Sequence, residues 1–203
     1  MRLKEFPFDS QNFNIQLMSV DFSPEEVHFV PGPSNGIAED ISVADWSVTG
    51  FKSSTKPFIV STSKMPLANF TVIIEAKRKN NYFWLKVILP LVLIVMMSWV
   101  VFWIDPQEGN TQISVAITSM LTLIAYRFAI STDIPQISYL TRLDFFVLGS
   151  TILVFAGLIE VLITSTYAKM GQIEKAQRID IWSRVLFPVT FVLLMWESLL
   201  GIS

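Results

Sequence analysis

Ser114, Thr118, Leu121, Ala125 and Phe128 follow one another at intervals of 4, 3, 4 and 3 residues. That spacing lays side chains along one stripe of an α-helix. Small hydroxyls hold one end of the stripe and apolar groups the other, an arrangement that makes and breaks no covalent bonds. Its chemistry is that of admitting or refusing water and ions. Two readings fit the hydroxyls of this segment, which also carries Ser119, Thr122, Tyr126 and Arg127. They bond their own backbone and hold helices together, or several copies line one axis, with Ser/Thr rings for ions and Leu/Phe rings as a dewetting gate. A single chain has only one such stripe, so the second reading requires an oligomer.

The remaining residue types leave little room for catalysis. The chain has no cysteine and one histidine, His28, which removes thiolate chemistry and disulfides and argues against His-based metal sites. Nothing resembles a phosphate-binding loop, and no cofactor is implied. Basic and acidic residues number 15 and 17, for a net charge of −2 and a pI near 5.4, which offers no electrostatic footprint for nucleic acid. Of 203 residues, 52% are apolar and 16% charged, and the mean hydropathy is +0.51. Soluble domains carry about 25% charged residues, so a soluble globular protein is excluded.

Two compositions stand on either side of Asn80. Residues 1–80 hold 8 of the 15 basic and 9 of the 17 acidic residues. Within them Phe13, Ile15 and Leu17 alternate with polar neighbours, as do Ala44, Trp46 and Val48, and Phe70, Val72, Ile74 and Ala76 also recur at every second position. Period-two patterning broken by Pro/Gly/Ser clusters predicts antiparallel strands, too few to close a β-sandwich. Beyond residue 80, segments 82–104, 113–130, 145–164 and 185–202 are long enough to cross about 30 Å of hydrocarbon. Trp84, Trp99 and Trp103 near the ends of the first suit an interfacial belt. The fold class expected is therefore an α+β membrane protein, with part of a β-sandwich over 1–80 and a four-helix transmembrane bundle over 81–203. Lys169, Lys175, Arg178 and Arg184 between the third and fourth spans place that connection in the cytoplasm by the positive-inside rule. The strand-rich part and the C-terminus then lie outside the cell or inner membrane. No secretory signal precedes the strands, and upstream residues are expected.

Several motifs occur in a fixed order. Phe6-Pro7-Phe8-Asp9 with Gln11-Asn12 is similar to a signature loop at the membrane end of an extracellular sandwich; Phe13 stands where that loop's second cysteine would be. Arg78 lies twelve residues before Pro90, residues 121–128 (Leu-Thr-Leu-Ile-Ala-Tyr-Arg-Phe) are similar to the upper part of a bacterial pore helix, and Pro135 matches a proline in the linker that follows it. Asp180 and Arg184-Val185-Leu186-Phe187-Pro188 resemble the start of a bacterial fourth helix. Together these resemble the pentameric ligand-gated ion channels, the Cys-loop receptor superfamily, and specifically its prokaryotic members.

That resemblance implies a homopentamer in a lipid bilayer, permeated by monovalent ions and opened by an extracellular agonist, a small molecule or the proton. The pore is lined by Ser114, Thr118, Leu121, Ala125 and Phe128. Matching from the first helix instead would put Gln112 at the first hydroxyl ring. Asp105 and Glu108 are candidates for an anionic ring at the inner mouth that draws cations. Phe6, Pro7, Phe8, Asp9, Arg78 and Pro135 are the expected coupling residues. The sandwich base is expected to push on residues 131–140 and tilt the pore helix. Phe22, Phe51 and Phe58 are candidates for an aromatic agonist site, the last two flanking a capping loop at 52–57; a strand phenylalanine is otherwise core. Glu160 must face protein or water, Gly149 and Gly157 permit close helix packing, and the connection 168–179 is too short for a large intracellular domain. The first half of the sandwich, with its share of the agonist pocket, is expected to be missing. The alternative function is accordingly a non-conducting truncated fragment or assembly module of such a channel.

Overall fold

The computed structural model describes residues 3–32, 36–37, 43–59, 66–132 and 137–201. The chain divides into two compact units, Met1–Asn80 and Asn81–Ser203.

The first unit is built on a three-stranded antiparallel sheet of order β1-β5-β2, with β1 at Ser10–Met18, β2 at Trp46–Ser54 and β5 at Asn69–Arg78. A short ribbon pairs β3, Phe58–Ile59, with β4, Pro66–Leu67. Alternation of side chains brings Phe13 of β1 and Phe51 of β2 to either side of Ile74 on β5. On one face the Phe13 ring meets Trp46 edge-on, with centroids 5.2 Å apart. Ile15 and Leu17 on β1 remain 52% and 54% exposed, so this strand's apolar side chains lack cover. The register slips between Val48 and Gly50. A Cβ on Gly50 would come within 2.7 Å of the Glu75 carboxylate, so a side chain at the bulge would displace that flexible group. The second alternating run therefore becomes a strand shifted towards the C-terminus. Lys52–Ser54 lies in β2, and only residues 55–57 separate it from β3, which shortens the expected capping loop.

The second unit is four helices: α1 over Asn81–Trp103, α2 over Gly109–Ile130, α3 over Arg142–Lys169 and α4 over Ile173–Met195. Counting the turns that extend them, they run 23, 25, 28 and 27 residues with mean hydropathies of 2.5, 1.7, 2.4 and 1.5, long and apolar enough to cross a bilayer. Pro90 has no N–H to offer the carbonyl one turn back, and α1 takes a wider π turn over Trp84–Ile88 just before it. Thr141 and Asp144 cap α3 reciprocally, each side chain bonding the other's backbone N–H. The basic stretch after the third span is mostly helix. Only Met170–Gln172 is a turn, and Gly171 (φ 79°) supplies its left-handed residue. Glu174, Lys175, Ala176, Gln177 and Arg178 are good helix formers, and their polarity hides the helix from a hydropathy count.

Aromatic rings fill the bundle. Phe102 lies 4.9 Å from Phe187, and Phe191 lies 5.5 Å from Trp99 and 5.7 Å from Phe146, centroid to centroid. Gly149 lets α3 approach α4, since a Cβ there would sit 2.6 Å from Leu194 Cδ1; Gly157 has nothing nearer than 3.7 Å and makes only ordinary contact.

Candidate functional site

Along α2 the sequence sorts into two faces. Gln112, Ala116, Ser119, Leu123 and Ile130 are buried in the bundle, whereas Ser114, Thr118, Leu121, Ala125 and Phe128 are all exposed. Leu121 and Phe128, at 60% and 75% exposure, are bare on the isolated chain. Asn110 extends the exposed stripe by a further turn, a position that the sequence reading passed over. Gln112, the first position of the alternative register, is 0% exposed, whereas Ser114 is open.

The hydroxyls first satisfy their own helix. Ser114 donates to Asn110 O, Thr118 to Ser114 O, and Thr122 to Thr118 O, each at 2.8 Å. With its proton committed to a backbone carbonyl, each hydroxyl offers only lone pairs outward. The backbone-bonding reading of these residues is thus correct for their protons, and it leaves an acceptor-lined stripe.

Two side chains on the buried side pin α2 to α1, and composition gave no hint of either. Gln112 Nε2 donates to Val101 O at 3.2 Å and Ile104 O at 3.0 Å, carbonyls at the end of α1, the first of which also accepts from Ile104 N. Tyr126 Oη donates to the carbonyls of Lys86 and Val87, in the turn that Pro90 disrupts. The signal was present in Pro90, which leaves a carbonyl without its usual partner. Arg184 of α4 adds a third tie, donating from Nε to Phe102 O at 2.9 Å.

Asp105 and Glu108 precede α2 and are both exposed. Asp105 caps the short turn Pro106–Glu108 by accepting from Gln107 N at 2.9 Å. Deeper in the unit, Glu160 of α3 and Asp180 of α4 lie against one another at 9% and 1% exposure, two buried acids on neighbouring helices. Glu160 therefore faces protein, and its neighbour Asp180 is a buried acid that hydropathy did not single out.

In the first unit, Asp9 is 2% exposed and receives Arg78 Nε at 2.8 Å, Arg78 Nη2 at 3.4 Å and Gln11 Nε2 at 2.7 Å. The Arg78 guanidinium lies over the rings of Trp46 and Phe6, 4.2 and 5.0 Å from their centroids. Phe6 and Pro7 are buried and Phe8 half-buried. Burial alone would push the Asp9 carboxyl up, but the bonds from Arg78 and Gln11 and the guanidinium charge outweigh it and hold the group below the usual carboxylate range. Pro135 lies outside the described residues. Of the aromatic candidates, Phe22 and Phe58 are 51% and 37% exposed and Phe51 is half-buried on β2; His28 is exposed.

Residues 87–175 match the model of the neurotransmitter-gated ion-channel transmembrane region. Among curated proteins, a gamma-aminobutyric acid receptor subunit beta from Caenorhabditis elegans is 32% identical over 163 residues, covering 79% of this chain and 29% of its own. A subunit beta-like protein from Drosophila melanogaster is 28% identical over 79% of this chain and 32% of its own, and a subunit beta from Lymnaea stagnalis 28% over 88% and 36%. The chain spans about a third of the length of these relatives, all of them animal proteins. It is a multi-pass membrane protein. The match runs from the first helix to the start of the fourth, and over that stretch the chain carries a transmembrane region similar to that of the neurotransmitter-gated ion channels, the Cys-loop receptor superfamily.

Proposed function

We propose that this chain is a subunit of a pentameric, agonist-gated ion channel in which α2 lines the pore. One observation carries the reading: a helix with a fully packed side places the hydroxyl-to-apolar stripe Ser114–Thr118–Leu121–Ala125–Phe128 on the side left bare. Five copies around an axis cover that side with water and with one another. Leu121 and Phe128 then form rings that dewet when narrow, and the outward lone pairs of Ser114 and Thr118 suit a partly dehydrated cation.

Cation preference is part of the proposal. Asp105 and Glu108 put two exposed carboxylates per subunit beside the start of α2, and residues 87–126 contain no lysine or arginine. Arg127 lies roughly a third of a turn off the Leu121 stripe, at about 100° per residue. In this reading monovalent cations are drawn to the inner mouth.

The agonist is a small molecule bound by the strand-rich unit outside the membrane. The relatives are named as receptor subunits for gamma-aminobutyric acid, which makes that amine the first compound to test. Phe22 and Phe58 offer ring faces for an ammonium group. Agonist binding gains leverage only through different affinities for the two states. Its effect reaches the pore through the chain itself, since Arg78 ends β5 and α1 begins at Asn81. Opening tilts α2 and widens the Leu121 and Phe128 rings. A homopentamer of prokaryotic type, with the three-residue connection Met170–Gln172 in place of an intracellular domain, completes the proposal.

Reversal potentials under asymmetric salt test it. The expected shift follows the cation gradient and collapses with Glu108→Gln and Asp105→Asn together. A reversal potential that follows chloride overturns the cation assignment, and absence of any current from assembled protein favours an assembly module.

A further inference from the structure

Polar side chains from three helices meet inside the second unit, level with the turn that ends α1. Glu160 of α3 lies against Asp180 of α4, and the amide of Gln112 on α2 reaches Asp180 in turn. The three are 9%, 1% and 0% exposed. We infer that these side chains hold one monovalent alkali cation, with sodium as the ion to test, in the core of the four-helix unit. The inference rests on the packing of that unit and not on conduction.

Gln112 supplies what two acids alone do not. Its Nε2 is committed to the carbonyls of Val101 and Ile104, whereas its Oε1 is buried with no donor among the described residues. An amide oxygen beside a carboxylate is one acceptor facing another, and a buried acceptor without a partner is costly. A proton shared by Glu160 and Asp180 leaves that oxygen as it is. A cation takes the amide oxygen and both carboxylates together, the all-oxygen set that hard cations select. The Ser183 hydroxyl, 5% exposed and within reach of Glu160, steadies that carboxylate.

The charge count sets the valence. No lysine or arginine occurs in α1 after Lys86, in α2 before Arg127, or in α3 between Arg142 and Lys169. On α4 the charge of Arg184 acts on Asp180 from one turn further along. Its Nε is bonded to Phe102 O at 2.9 Å, and it forms no ion pair with either acid among the described residues. Two carboxylates against one guanidinium leave one negative charge in a buried place, where charges are paired or coordinate a metal. A monovalent cation closes that count and a divalent ion overshoots it. Asp105, exposed at the turn before α2, adds a negative charge on the solvent side of the site.

The experiment is the thermal unfolding of the full chain in phosphatidylcholine nanodiscs, with N-methyl-D-glucamine exchanged stepwise for sodium at constant ionic strength and pH. The midpoint is expected to rise by roughly 3–6 °C for each ten-fold rise in sodium once the site begins to fill. Glu160→Gln and Asp180→Asn, which keep the shapes of the side chains, should each abolish that rise. Glu174→Gln, at an exposed acid on the same helix as Asp180, should leave it. A midpoint indifferent to sodium overturns the proposal, as does a rise that survives both core variants. Infrared difference spectra of the unaltered chain decide the matter even where a variant fails to fold. Sodium should shift a carboxylate stretch, whereas a protonated-acid band that persists in sodium overturns the cation in favour of a shared proton.

Discussion

Asp9 and Arg78, 69 residues apart in sequence, form a two-point ion pair whose side chains are 2% and 13% exposed. Its backbone partner is just as direct, since Arg78 N donates to Asp9 O at 3.2 Å. The pair thus locks the loop before β1 to the last residue of β5, the strand that runs into α1. Phe6 and Trp46 on the guanidinium faces exclude water from it, which makes the charges hard to separate and costly to leave alone.

Removing one partner should therefore cost far more than a surface ion pair. Arg78→Ala leaves a buried carboxylate, at about 3–5 kcal/mol, and amide exchange in β1 and β5 should speed up by roughly two to four orders of magnitude. Asp9→Ala should do the same, and the double variant should lose less than the sum. Strictly additive losses would show that the two groups act separately.

The same pair sets an acid limit. A carboxyl held below its ordinary value near 3.8 contributes stability above that value and loses it as pH falls through the depressed one. Protection of β1 and β5, corrected for intrinsic exchange, should be flat from about pH 7 to 5 and fall below about pH 4. Asp9→Asn should weaken the sheet at neutral pH and flatten this acid limb. An acid limb that persists unchanged in Asp9→Asn would place the titration elsewhere.

At the pore, Leu121→Ser should wet the narrow ring and favour the open state. Recordings should show a leak without agonist or a lower agonist requirement. An unchanged dose–response would remove Leu121 from the gate.

The ties from α2 to α1 should resist its tilting. Tyr126→Phe deletes a hydroxyl bond to the Lys86 and Val87 carbonyls, each such bond being worth about 1 kcal/mol. The agonist concentration for half-activation should drop roughly five-fold, with unitary conductance unchanged. No change in activation would mean that the tie survives opening.

Much of this was open to the sequence because period and hydropathy act locally. Alternation at Phe13–Leu17 and Phe70–Ala76 marked β1 and β5, and four apolar runs marked four helices. The stripe from Ser114 to Phe128 followed from helical spacing alone. What escaped depends on neighbours distant in sequence or on polar helix. Gln112 reads as a pore candidate until the carbonyls of Val101 and Ile104 are beside it. Residues 173–184 read as a loop because Glu174, Lys175 and Arg178 lower the hydropathy of what is a regular helix. Asp180 entered only as part of the motif at the start of the fourth helix, and the packing of α3 against α4 is what buries it.

The central claim is that α2 lines a water-filled path, and this chain suits its most direct test because it has no cysteine of its own. Single cysteines introduced one at a time through Gly109–Ile130, with a charged methanethiosulfonate applied during activation, report which side chains meet the permeating water. Block should be rapid at Ser114, Thr118, Leu121, Ala125 and Phe128 and absent at Gln112, Ala116, Ser119 and Leu123. Rapid block at the second set, or faster reaction at Val115 than at Ser114, would contradict the account.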